Sequence, residues 1–430
     1  MQHAVNRPIY TLVISWVLLL PLLFFAARGT FSFDRAQSGN LGTTEANNLT
    51  ATRSDSTYYR LEQIVLYAII IAAMAPWIRS LDSVIRENLF VFSVPCLALT
   101  SALWTQSLIK TIPFGVFAIL LTVFGIYLTQ RFSPDRQIRL LLFAGSVAIV
   151  LSYMLALFFP AAGIWNVDGL GAWRGMFIMK NILGEIVVLL SYAALSFRPR
   201  TAFHWIGLTL YLVLALGLVV MSQSRTAWIV GVLSLAFVIF LNVFKRFRVH
   251  ERLLFAVVLG IVLSLMAIFV VAYATQIALA LGKDPTLTGR TKIWAAVATV
   301  VWKRPLLGFG YRAFWLGLEG ESANLALAVG STSLGNSENA LVDIWLELGT
   351  IGVLLMLITL FKACRNAITC VRLDMPKHIQ WYILIVFFNV LSVVDGDKLM
   401  YPHTIEWLLF VVAYVGLSAE ARRIRTLRTA

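Results

Sequence analysis

The sequence predicts an all-α fold, a polytopic membrane helical bundle of about 12 transmembrane helices with one large water-facing loop carrying amphipathic helices. Three observations point there. Hydrophobic residues make up 60% of the chain and charged residues 13%, against about half and about a quarter in an average soluble domain. The apolar residues gather in windows of about 20 residues, the length that crosses a hydrocarbon core as helix. Basic residues also fall in alternate gaps between the windows, the pattern left by cytoplasmic retention of Lys and Arg.

In order, the windows are 9–27, 62–78, 89–107, 111–129, 139–160, 181–197, 203–222, 226–243, 252–274, 340–361, 379–394 and 403–418. The first exceeds a secretory h-region and reads as a retained span. Residues 28–60, rich in Ser, Thr, Asn and Gly, read as a poorly structured loop. Arg79 and Arg86, Arg131 to Arg139, Arg198 and Arg200, Lys245 to Arg252, Lys362 to Lys377 and the tail from Arg422 fall in the even-numbered gaps and at the end. The positive-inside rule therefore puts both termini in the cytoplasm and the 275–338 loop outside. Three regions follow: 1–274 with nine helices, the 275–338 loop, and 339–430 with three helices and a basic, solvated tail.

The net charge of +14 is accounted for by these loops, and no soluble basic region offers a nucleic acid a seat. Cys96, Cys364 and Cys370 lack metal-ligand spacing and read as reduced and structural. No Walker-type phosphate loop occurs, which disfavours an ATP-driven pump. Gly308-Phe309-Gly310 follows a helix rather than a strand, so it is no dinucleotide fingerprint. Metal and cofactor are both expected to be none.

The informative cations lie on the expected outer side, where a charge at the membrane boundary is costly and usually partnered. Arg225, in MSQSRTAW, is either a snorkelling turn residue or an anion ligand assisted by Ser222, Ser224 and Thr226. Arg290 opens an expected interfacial helix with Ile293, Trp294, Val297, Val300 and Val301 on one face. Either it is solvated on an amphipathic strut, or it joins free N-terminal amides in holding an anion. Arg174 and Lys180 precede the sixth window, and Glu185 inside it either pairs with a base or stabilises packing. Lys303, Arg304 and Arg312 add positive field. Trp294, Trp302, Tyr311 and Trp315 either stack on sugars or anchor at the interface.

WRGMFIMKNILG, SQSRTAW, TGRTKIWAAVATVVWKRPLLGFGY and NSENALVDIWLELGTIG, in that order around a large external loop, resemble the O-antigen ligase/polymerase superfamily. The resemblance is clearest from Trp173 to Gly352. It implies an integral-membrane glycosyltransferase of the bacterial inner membrane, active on the periplasmic face without nucleotide sugars. Its implied partners are an undecaprenyl-pyrophosphate-linked glycan donor, a glycan acceptor and the bilayer, with a chain-length regulator and a flippase of the same pathway as further candidates. By position, Arg225 and Arg290 match the arginines expected to engage the pyrophosphate. The family's His-Asn pair is replaced here by Glu338-Asn339. Glu338 is then either the base that accepts the acceptor's proton or a capping or pairing group. Asn339 and Asp343 complete the expected substrate-facing set, and Glu347 is expected to hold a nearby basic group. The expected function is polymerisation of lipid-linked repeat units; ligation of a finished glycan to lipid A-core and, outside enzymes, a lipid or solute transporter are the alternatives.

Overall fold

A computed structural model describes residues 8–26, 57–165, 171–244, 290–317, 319–330, 334–337, 339–372, 377–393 and 404–429. The long helices are α1 (Pro8–Ala26), α2 (Thr57–Met74), α3 (Ile78–Glu87), α4 (Ser93–Thr100), α5 (Leu108–Arg131) and α6 (Pro134–Phe158), then α7 (Lys180–Ser196), α8 (Ala202–Met221) and α9 (Arg225–Phe244). After these come α10 (Arg290–Val301), α11 (Gly320–Ala328), α12 (Ala340–Arg372), α13 (Lys377–Ser392) and α14 (Ile405–Thr429). A two-stranded hairpin, β1 (Ile164–Trp165) and β2 (Ala172–Trp173), pairs antiparallel with Ile164 opposite Trp173.

The protein is an all-α integral membrane protein. Among the described residues, α5, α6, α8, α9 and residues 340–371 of α12 are long and apolar enough to cross a membrane. Helix occupies every expected window except 252–274, which lies outside the described residues. The third window is broken: 3-10 turns flank α4 and helix ends at Leu103, leaving Trp104 to Ser107 free to bond elsewhere.

Among the described residues, α7, α13 and α14 are buried over most of their length. α7 is buried almost all round and packs against α6, α8, α9 and α13. α14 packs against α13, α5 and α12 and buries Trp407, Leu408, Phe410 and Val411 completely. Lipid is as apolar as leucine, so such helices associate by close packing and interhelical hydrogen bonds rather than by flight from water. Gly125 lies against Val411 and Gly416 against Tyr382, where a Cβ would collide. Trp407 Nε1 donates to Thr122 Oγ1 at 3.0 Å, Tyr382 Oη to Gln137 Oε1 at 2.9 Å and Asn366 Nδ2 to Ser418 Oγ at 3.0 Å. By contrast α8 and α9 turn Phe203, Ile206, Val213, Leu216, Ile229 and Val232 outward, as a lipid-facing edge does.

Three expectations are corrected. α12 runs to Arg372, past the expected end at 361, because Ala363, Ala367 and Cys370 continue a buried stripe beneath the exposed basic residues. Cys364 and Cys370 are therefore helical, and all three cysteines are free. The tail is likewise helix rather than a solvated end: α14 reaches Thr429, buries Ala421 and ties Arg422 to Glu87 of α3 at 2.7 Å. The third correction concerns α10. Its apolar face does not lie open to lipid; Val297, Val300 and Val301 join Phe309, Phe314, Trp315, Leu325 and Leu346 in a second small core.

Candidate functional site

Alternation of the helices brings the 101–111, 159–180 and 222–225 connections, residues 304–315 and the start of α12 to one end of the bundle. The motifs singled out in the sequence lie at that end.

In the SQSR turn, Ser222 Oγ donates to Val219 O at 2.7 Å and receives Ser224 N–H at 3.3 Å. Ser224 Oγ accepts Ala227 N–H at 3.3 Å, so it caps α9. Gln223 is left-handed (φ 49°), a rare state for a residue with a Cβ, and such states gather at functional segments. Both serines are buried while Arg225, the first residue of α9, is exposed. The hydroxyls thus hold the turn, and the arginine is what it presents. Gly184 of α7 is in close contact: a Cβ there would come 2.6 Å from Ala227 Cβ and 2.8 Å from Ser222 Oγ.

Arg174 differs from its expected role as a substrate contact. Its guanidinium is 2% exposed, with Nε donating to Ala162 O at 2.9 Å and Nη2 to Ala161 O at 3.3 Å, 5.9 Å over the Trp165 ring. Those carbonyls belong to the one-turn helix Pro160–Gly163, so a cation at its C-terminal end satisfies groups no helical N–H reaches. Lys180, half-buried, opens α7.

The centre of the end is a strap, residues 305–311, threaded through a break in α12. At Gly349 the backbone turns to φ 67°, ψ −170°, which frees carbonyls before it and N–H groups after it. Phe309 and Gly310 donate to Leu346 O and Glu347 O at 2.8 and 2.9 Å. Thr350 and Ile351 donate to Pro305 O and Leu306 O at 2.8 and 3.3 Å. These four backbone groups at the break are thereby paired, as burial requires. Approach this close needs glycine, since a Cβ at Gly308 would lie 2.6 Å from the Glu347 carbonyl carbon.

The opposite side of the strap docks on the turn after the third window. Gln106 N–H donates to Phe309 O at 3.2 Å, Gln106 Nε2 to Ala313 O at 2.7 Å, Thr111 Oγ1 to Tyr311 O at 2.9 Å and Tyr311 N–H to Ser101 Oγ at 2.9 Å. Sequence reasoning missed this turn; the signal was the polar run Thr105-Gln106-Ser107 closing an apolar window. It also missed the break, which Gly349 after Leu-Glu-Leu marks.

The aromatic residues divide. Tyr311 (2% exposed) and Trp315 (9%) are core rather than a sugar platform. Burial pushes the Tyr311 phenol well above its usual range, Glu347 pushes it the same way, and Arg312 opposes both. Trp302 is 69% exposed, edge-on to Trp345.

Arg304 donates to Trp104 O at 3.0 Å and lies over Phe309. Arg312, left-handed at φ 59°, lies over Phe114. Lys303 pairs with Glu321 at 2.8 Å and holds that carboxyl below the usual range. An open recess of about 370 Å³ between Trp104, Arg304 and Pro305 to Gly308 marks the strap's outer face.

Asn339 caps α12 through Leu341 and Val342 N–H, and buried Asp343 accepts from Trp315 Nε1 at 3.0 Å and Ser337 N–H at 2.9 Å. The side chain of Arg290 and the whole of Glu338 lie outside the described residues.

Known proteins share these segments. The O-antigen ligase family model matches residues 210–357, from the middle of α8 through the SQSR turn, α10 and the strap into α12. The WRGMFIMKNILG segment lies outside that match. The chain is also 25% identical over 357 residues to the "Exopolysaccharide production protein ExoQ" of Rhizobium meliloti (strain 1021), covering 79% of each chain. With the four motifs in their expected order, the chain is similar to the O-antigen ligase family over residues 210–357 and, more weakly, to an exopolysaccharide production protein over most of its length.

Proposed function

We propose that this protein is a glycosyltransferase that polymerises undecaprenyl-pyrophosphate-linked repeat units on the periplasmic face of the inner membrane. In this reading the chain spans the membrane twelve times, with both termini cytoplasmic. The observation that carries it is the family match over residues 210–357, which takes in Arg225, Arg290 and Glu338 together. Likeness to an exopolysaccharide production protein over most of both chains favours chain building over capping of a core.

The reaction needs no metal in this scheme. A hydroxyl of one lipid-linked unit attacks the anomeric carbon of the donor sugar and forms the new C–O bond. The bond to the pyrophosphate oxygen breaks with its electron pair, and the hydroxyl proton passes to the Glu338 carboxylate. Negative charge grows on the leaving diphosphate, where the guanidinium groups of Arg225 and Arg290 stabilise it by two-pronged, charge-assisted hydrogen bonds. Lys303, Arg304 and Arg312 supply field at longer range.

Purified protein in liposomes with lipid-linked repeat units tests this. A ladder of glycans on lipid pyrophosphate is expected. Single transfer to a lipid A-core acceptor would establish ligation instead, the reading that the family's description favours. Movement of intact lipid-linked substrate across the bilayer without a new glycosidic bond would establish a transporter and sink both.

A further inference from the structure

Ser337 and the start of α12 are held by a network centred on one buried carboxylate. Asp343 (5% exposed) lies in the first turn of α12. Its Oδ1 accepts Ser337 N–H at 2.9 Å and the Trp315 indole N–H at 3.0 Å. Ser337 Oγ donates to Asn339 O at 2.9 Å. Ser337 O in turn accepts Trp294 Nε1–H at 3.0 Å. Trp294 sits one helical turn from Arg290 on α10 and Trp315 follows the strap, so both are tied to the start of α12 through Ser337 and Asp343.

We propose that Asp343 is a positioning residue: it fixes Ser337, and through Ser337 Oγ the Asn339 backbone, the described residues that flank the proposed base in the chain, relative to α10 and Trp315. This rests on the function proposed above and gives Asp343 a role other than contact with substrate. A carboxylate suits the task because one of its oxygens can accept two donors at once, and charge-assisted bonds are the stronger kind. Asn339 caps α12 beside it, so the start of that helix is held as well.

An asparagine at 343 retains an oxygen able to accept both donors but carries no charge. Polymerisation kinetics of D343N, D343A and W315F in liposomes therefore separate the possibilities. Expected for D343A is a loss of about 100-fold in kcat with KM for the lipid-linked unit within a few-fold, since a displacement of about 1 Å costs that much. D343N should recover most of the lost rate and keep the wild-type pH profile. W315F, which removes one donor and leaves the carboxylate, should fall between wild type and D343A in kcat.

Equal inactivity of D343N and D343A, with W315F unaffected, would mean that the charge itself acts and would overturn the proposal. So would a rise in KM alone. If D343A fails to insert, D343N and W315F still decide. Failure of the underlying function reads differently: full activity in E338Q would remove the base whatever the Asp343 variants do.

Discussion

Replacing Gly349 with alanine tests whether the strap and the broken helix form one unit. The backbone there, φ 67° and ψ −170°, is a region reserved for glycine. Strain for another residue is about 1–3 kcal/mol. An added Cβ would also fall on the Leu306 carbonyl and against Leu307 N, both backbone atoms that no rotamer change can move aside. The strap must then withdraw, and the two bonds it accepts from Thr350 and Ile351 are the first lost. At about 0.5–1.5 kcal/mol each plus the strain, the total is about 2–6 kcal/mol.

Gly317 is the control. It too has positive φ (70°), but a Cβ there meets nothing within 4 Å, so its cost is that of the left-handed conformation alone, about 1–2 kcal/mol. Thermal unfolding in nanodiscs should rank wild type above G317A above G349A. Hydrogen exchange at Phe309, Gly310, Thr350 and Ile351 should accelerate only in G349A. Equal stability of the two variants, with exchange at those four amides unchanged, would refute the interlock.

Three further outcomes are expected. Arg225→Lys and Arg290→Lys should each lose glycan polymerisation while remaining folded and inserted, because an ammonium lacks the two-pronged donor geometry; glycan length on gels reads this, and near-normal length in both would count against the clamp. Gly184→Val should separate α7 from the SQSR turn and abolish activity, since the smallest added group already meets Ala227 and Ser222; measured polymerisation equal to wild type would show that the contact is dispensable. The Lys303–Glu321 pair should matter little and with a definite sign. Because Glu321's carboxyl is held below its ordinary range, its stabilisation is complete above the unfolded carboxyl pKa and fades as pH falls through the lowered value. Both groups are partly exposed, so Lys303→Met should cost at most about 1 kcal/mol at neutral pH, with melting curves of mutant and wild type converging in acid.

Much of the fold was legible because its physics is one-dimensional. A membrane span is a length of apolar residues, and α1, α2, α5 to α9, α12, α13 and α14 lie where hydropathy placed them. The same rule failed where burial in protein replaces burial in lipid. Lys362 to Arg372 and the tail after Ser418 stay helical through stripes of Ala and Cys too narrow to raise a hydropathy average, and α3 was read as loop.

The candidate site was legible in part. Arg225's turn announced itself as a charge between two apolar runs, but the hydroxyls beside it act as caps, a role no spacing reveals. By itself the sequence determined that this chain is a helical membrane protein, which segments carry its motifs and which superfamily they resemble, because composition, window length and motif order are properties of the chain read end to end. Tertiary structure alone decided that Arg174 satisfies carbonyls, that Tyr311 and Trp315 are core, and that Gly349 opens a helix for the strap. Those outcomes depend on which groups come within hydrogen-bond distance of one another across separations of 12 to 210 residues, and such pairings leave no periodic trace in a sequence.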